Sequence, residues 1–213
     1  MPKRSGPEVM VAAARTVQYW FSTASPWAWL GSARFIRLAG RAQATVEVLP
    51  VDLGAVFAAT GGTPFPQRAA ARQSYRQLEL GRWSRRLGVP IRLEPQHYPV
   101  DRGPSSRLVI AARIQGADAL ALSHAVLRAI WSEDRNIADW GVLEQIAQAE
   151  GLDGARLVQA AQQPALQALY LEDTRRAIGA GVFGSPTFVV DGERFWGQDR
   201  LDFLAERLGC DLR

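Results

Sequence analysis

Cysteine is nearly missing from this chain of 213 residues, which has only Cys210, close to its C-terminal end. A single thiol excludes an internal disulfide framework, a Cys-x-x-Cys redox pair and a cysteine-rich metal site, and it suits a reducing cytoplasm. The two histidines, His97 and His124, have no carboxylate pairs at metal-binding spacing beside them, so no metal is expected. Gly-x-Ser-x-Gly is absent, which removes the usual signature of a serine hydrolase. No apolar run approaches the ~20 residues that cross a bilayer, so no membrane partner is expected. Lysine occurs once, at Lys3, and the net charge of +4 therefore rests on arginine.

Seven of those arginines, Arg68, Arg72, Arg76, Arg82, Arg85, Arg86 and Arg92, fall in one segment. No zinc-finger spacing or RNA-recognition motif accompanies them, so they are read first as a solvated helical face, next as a site for an anionic small molecule, and not as a nucleic-acid site. At the N-terminus, residues 1–15 carry Lys3 and Arg4 and then Val-Met-Val-Ala-Ala-Ala. The apolar part is at the short limit for a signal peptide, and residues 1–15 read as a frayed extension.

Val17 to Phe21 is aromatic-rich and reads as a buried strand. After Ser22-Thr23-Ala24-Ser25 comes Pro26 and a helix to about Ala39, with Trp29, Ala33 and Ile36 on one stripe and a stop at Gly40. Thr45 to Leu49 alternates and reads as a second strand. Strand, helix and strand over this length make a βαβ unit with parallel strands. No strand is signalled again for over a hundred residues. Helices are expected over 69–87, 105–115, 119–131, 140–150, 153–162 and 164–178, punctuated by Gly116, Gly151 and Pro164. Strands return at Thr187 to Val190 and Glu193 to Trp196, around Asp191-Gly192. That pair is a strong signal for a type I′ turn, which needs positive φ at both central residues. A last helix starts near Asp199. The order is that of an α/β, thioredoxin-like domain, residues 16–52 and 180–213, split by an all-helical insertion, residues 53–179.

The centre of this pattern is the turn at Ser25. Serine is a favoured N-cap and proline a favoured first helical residue, so the stretch reads as strand, tight turn and helix N-terminus with a hydroxyl at the tip. Such an end offers free N–H groups and a positive dipole to an anion. A catalytic role is therefore sought at Ser25. His124 falls with Leu120, Leu127 and Trp131 on an apolar helical face and reads as a core histidine. Trp27 and Trp29 read as a packing pair, with Trp27 also able to floor an aromatic substrate.

The Phe-Ser-x-x-Ser-Pro-x-x-x-Leu pattern of Phe21 to Leu30 resembles 2-hydroxychromene-2-carboxylate isomerases and the related kappa-class glutathione transferases. In both, a serine replaces the nucleophilic cysteine of thioredoxin-like oxidoreductases and holds the thiol of glutathione. Gly181-Val182-Phe183-Gly184-Ser185-Pro186-Thr187-Phe188 resembles a second motif of the family, whose proline is cis. Phe195-Trp196-Gly197-Gln198-Asp199-Arg200-Leu201 resembles a third, whose residues at the Gln198 and Asp199 positions bind the glutamyl end. Weaker likenesses run through Thr60-Gly61-Gly62, Tyr75, Arg82-Trp83 and Tyr98-Pro99-Val100. The resemblance implies glutathione as cofactor, bound by Ser25, Arg72, Ser185, Pro186, Gln198 and Asp199. It also implies a small aromatic substrate, for which Trp27, Tyr75, Trp83 and His97 are pocket candidates, and a homodimer. Three positions depart from the family pattern. Gly62 stands where Asn is common, Arg72 stands for a lysine, and Asp101 stands where isomerases often have asparagine.

The implied chemistry is isomerisation by reversible addition of a glutathione thiolate to the conjugated substrate. Two alternatives are a kappa-like transferase, in which the thiolate leaves as a conjugate, and a catalytically silent thioredoxin-like binding module.

Overall fold

The computed structural model describes residues 15–212. The frayed extension expected over residues 1–15 lies outside them, apart from Arg15. Among the described residues, four strands form one sheet in the order β2-β1-β3-β4. Strand β1 (Thr16–Phe21) leads through helix α1 (Pro26–Arg41) to β2 (Thr45–Pro50), which lies parallel to β1. Strands β3 (Thr187–Val190) and β4 (Glu193–Trp196) are antiparallel, and β3 pairs antiparallel with β1. Asp191 (φ 51°) and Gly192 (φ 82°) form the hairpin turn with both central residues at positive φ.

Between β2 and β3 run α2 (Leu53–Thr60), α3 (Ala70–Leu87), α4 (Gly103–Ile114), α5 (Ala119–Trp131), α6 (Trp140–Ala149), α7 (Gly154–Ala161) and α8 (Pro164–Gly179), and the chain ends with α9 (Leu201–Leu208). The molecule has a thioredoxin-like fold with an all-helical insertion. Several local expectations need correction. Helix α2 carries no strong apolar period, and was not expected; Asp52 caps it by accepting from the Gly54 N–H at 2.9 Å. Helix α1 passes through Gly40, whose Cβ position faces open space, and ends at Arg41 with Ala42 as its C-cap. Its buried stripe runs through Phe35 and Leu38, while Ala33 and Ile36 are half-buried. Helix α4 begins two residues earlier than expected, and a 3-10 turn (Gln198–Arg200) precedes α9.

Alternation along β1 separates two cores. Val17, Tyr19 and Phe21 join Phe35 of α1 and Phe188 of β3, with Tyr19 stacked on Phe21 at 4.4 Å and Phe35 tilted on Phe188 at 4.5 Å. Trp20 points to the other face, among Leu49, Val51, Val56 and Ala177 from β2, α2 and α8. The Tyr19 hydroxyl is buried with no partner among the described residues, and burial pushes its pKa far up. An unpaired buried hydroxyl costs stability, so Tyr19→Phe is expected to be neutral or to stabilise the protein by up to ~1 kcal/mol in urea unfolding. A loss of comparable size would mean that the hydroxyl has a partner.

Behind the sheet, Asp173 of α8 is 2% exposed and holds two arginines. Arg113 of α4 donates to it at 2.6 Å and also to the Val48 carbonyl at 3.0 Å. Arg176 donates to it at 2.9 Å and reaches Glu47 of β2 at 2.9 Å. This network ties two helices of the insertion to the central sheet.

Candidate functional site

The segment Ser22 to Ser25 closes β1 against α1 because its polar groups are satisfied locally. The Ser25 N–H donates to the Ser22 carbonyl at 2.9 Å, and the Ser25 hydroxyl caps α1 by accepting from the Ala28 N–H at 3.2 Å. The Trp29 N–H donates to the Ser25 carbonyl at 3.0 Å. Pro26 has no N–H, so the Trp27 N–H is the uncommitted donor of this first turn.

Directly opposite is the cis peptide bond between Ser185 and Pro186, at the start of β3. The Ser25 hydroxyl donates to the Ser185 carbonyl at 3.3 Å, a long and easily redirected bond, and the Ser185 hydroxyl accepts from the Ser22 N–H at 2.9 Å. Ser22, Ser25 and Ser185 are all buried. The Ser185 N–H has no partner among the described residues. A free backbone donor, the Trp27 N–H, and a rotatable hydroxyl thus lie at the helix N-terminus, where partial positive charge accumulates, opposite the Ser185 carbonyl.

Gln198 is held to the flank of α1. Arg34 donates to its carbonyl at 2.7 Å and to its side-chain oxygen, and burial lowers the Arg34 pKa, opposed by Asp202 and Asp199. Gly31 permits this approach, since a Cβ there would lie 2.7 Å from the Gln198 Cβ. Asp199 pairs with Arg200 at 3.1 Å and caps no helix.

The side chains of the remaining sequence candidates make no hydrogen bond with this cluster. Trp27 is half-buried at the start of α1. It does not pair with Trp29, whose indole donates to the Pro90 carbonyl at 2.9 Å and stacks on His124 at 5.2 Å. Residues two apart on a helix do not face each other. Arg72 and Tyr75 are exposed on α3, Trp83 lies half-buried under Arg86, and His97 is half-buried in the loop before α4. None of these four forms a hydrogen bond or ring contact with Ser25, Ser185 or Gln198. At Gly62 the Phe57 ring lies 2.3 Å from where a Cβ would be, so an asparagine there requires Phe57 to move.

His124 is a satisfied, half-buried residue. Its Nδ1 meets the Ser32 hydroxyl at 2.8 Å, and burial lowers its pKa, with Arg128 acting the same way and Glu150 opposing. A histidine kept neutral in the folded state makes stability fall as pH drops below about 6.5, because the unfolded chain then binds the extra proton. His124→Gln is expected to flatten the dependence of melting temperature on pH in that acidic range. An unchanged slope would assign it to other groups.

Sequence reasoning missed a buried hydroxyl chain that supports the site. The Ser105 hydroxyl donates to the Arg102 carbonyl at 3.1 Å, so Thr23 must donate to Ser105, at 2.8 Å. Ser106 meets the Tyr170 hydroxyl, whose pKa burial raises to about 12. The signal was the Ser105-Ser106 doublet in the first turn of a helix whose other polar residues are Arg107 and Arg113. A cavity of about 470 Å3 lined by Ile36, Gly40 and Leu120 lies at the far end of α1 and takes no part in this arrangement.

A family model described as a DSBA-like thioredoxin domain matches residues 16–209. The chain is 30% identical to 2-hydroxychromene-2-carboxylate isomerase of Sphingobium xenophagum, over 91% of this chain and 98% of that protein. It is 24% identical to glutathione S-transferase kappa 1 of Homo sapiens, over 92% of this chain and 91% of that one. A solved structure of 2-hydroxychromene-2-carboxylate isomerase superposes with a TM-score of 0.77 at 27% identity, covering 91% of this chain and 94% of the other. With a serine at the helix N-terminus and a cis-proline loop facing it, the chain belongs to the 2-hydroxychromene-2-carboxylate isomerase family of DSBA-like thioredoxin-domain proteins.

Proposed function

We propose that the protein is a glutathione-dependent isomerase of an aromatic breakdown product resembling 2-hydroxychromene-2-carboxylate, acting as a cytoplasmic homodimer. The observation that carries this reading is the Ser25 hydroxyl at the N-terminus of α1, facing the carbonyl of Ser185 beside uncommitted N–H groups. The residues fit a thiol tripeptide. Gln198 packs against Gly31, six residues along α1 from Ser25 and so about 9 Å away along the axis. Two to three extended residues bridge that distance. The Ser185 N–H offers strand-like pairing to a peptide, and Gln198 and Asp199 take its glutamyl end. Arg72 adds positive charge from α3, and Trp27, Tyr75, Trp83 and His97 are assigned to the aromatic substrate. The two parts of the thioredoxin-like domain, residues 16–52 and 180–213, hold the thiol, and the insertion, residues 53–179, covers it.

When bound, glutathione would supply a nucleophilic sulfur for reversible addition to the conjugated substrate, which would free the former double bond to rotate. Ser25 turns its hydroxyl proton from the Ser185 carbonyl to the sulfur, while the Trp27 N–H and the α1 dipole add positive potential. A free thiol has a pKa of about 8.5, so these donors raise the thiolate fraction at neutral pH.

The test is interconversion of the chromene acid and its ring-opened unsaturated keto acid, with and without glutathione. Turnover that requires glutathione and leaves its amount unchanged is expected. Loss of glutathione into a conjugate would make the protein a transferase, and binding without turnover would make it a binding module.

A further inference from the structure

The arginine-rich helix α3 is not uniformly a solvated face. Most of its arginines are exposed, and Arg82 is paired with Glu79. Arg76 is half-buried, with its guanidinium 4.2 Å from the centre of the Phe65 ring and 5.9 Å from that of Tyr98. Among the described residues no carboxylate or carbonyl accepts a hydrogen bond from it. Aromatic rings satisfy the face of a guanidinium but none of its five in-plane N–H donors. Burial lowers the Arg76 pKa, Tyr98 opposes this, and Arg68 lowers it further, so the surroundings lack negative charge. Arg68 lies over Phe57 at 5.9 Å and spends only its Nε, on the Thr63 carbonyl at 2.8 Å.

The location links this cluster to the site. Helix α3 packs on α1, and Tyr98 lies on the segment leading into α4, whose Ser105 holds Thr23 two residues before Ser25. A planar fork with open donors, walled by aromatic rings, is suited to a carboxylate on an aromatic or peptide ligand.

We propose that Arg76, seconded by Arg68, anchors a carboxylate of the ligand that the Ser25 site binds. This deepens the reading of the Ser25 site and rests on it. The carboxylate has two possible sources, the aromatic substrate and glutathione.

The test uses Arg76→Gln and Arg76→Lys in the full chain. If the substrate is the source, R76Q raises KM for the unsaturated keto acid by about tenfold or more, leaving glutathione affinity and KM for an uncharged electrophile unchanged. If glutathione is the source, its affinity falls by a similar factor, and glutathione amidated at its carboxyl end binds native protein and variant equally. Arg76→Lys keeps the charge without the fork and is expected to fall between native and R76Q. Unchanged KM and glutathione affinity in R76Q overturn the proposal. Should the native protein fail to use glutathione at all, the site is probed by calorimetry with cinnamate and its uncharged amide. Loss of cinnamate binding alone in R76Q then supports the anchor, and equal binding by native protein and variant, or none by either, overturns it.

Discussion

Ser25→Ala is expected to lower kcat/KM for the glutathione-dependent reaction by about a hundredfold or more, the usual consequence of removing one donor to a developing or standing anion. The hydroxyl is buried, caps α1 and points at the carbonyl of Ser185, so the thiol it would serve must lie in the same small space. The substitution also removes an N-cap, which costs ~1 kcal/mol of stability. Glycine separates the two effects, because it replaces a cap at a cost of only a few tenths of a kcal/mol. Ser25→Gly is therefore expected to lose activity like Ser25→Ala while melting close to the native protein. Full activity in the glycine variant would reduce Ser25 to a cap.

Asp173→Ala is expected to have the largest effect on stability. Among the described residues, it removes the only acid that Arg113 touches and one of the two that hold Arg176, at a residue 2% exposed. Breaking a buried ion pair costs about 3–5 kcal/mol, and because the Arg113 side chain is 20% exposed a loss at the lower end, about 3 kcal/mol, is expected. For a chain of this length that corresponds to a fall in melting temperature of roughly 10 °C, read by calorimetry or circular dichroism. Replacing both members with apolar residues, Asp173→Leu with Arg113→Met, is expected to recover much of the loss, because no charge is then stranded. A single variant as stable as the native protein would show that the arginines find other acceptors.

The frame of the fold was legible because its signals are local. Aromatic alternation at Val17 to Phe21, the Ser25-Pro26 helix start and the Asp191-Gly192 turn each act within a few residues. What escaped depends on contacts distant in sequence. Helix α2 follows β2 after only Val51 and the capping Asp52 and has too weak an apolar period to announce itself. Gly40 reads as a helix stop, yet nothing in its surroundings requires one. The proximity of Ser25 to Ser185 was implied only by resemblance, since 160 residues separate them. The chain from Thr23 to Ser105 was invisible for the same reason, and so was the difference between Arg76 and its exposed neighbours. One turn of α3 looks like another until Phe65 and Tyr98 are brought against it.

The central claim is that Ser25 stabilises a thiolate, and the direct measurement is a pH titration of bound glutathione by its ultraviolet thiolate absorbance, on native protein and Ser25→Ala. The native protein is expected to hold the thiol ionised well below the ordinary value of about 8.5, and the variant to return it close to that value. Equal titration in both proteins, with glutathione bound to each, would contradict the role assigned to Ser25.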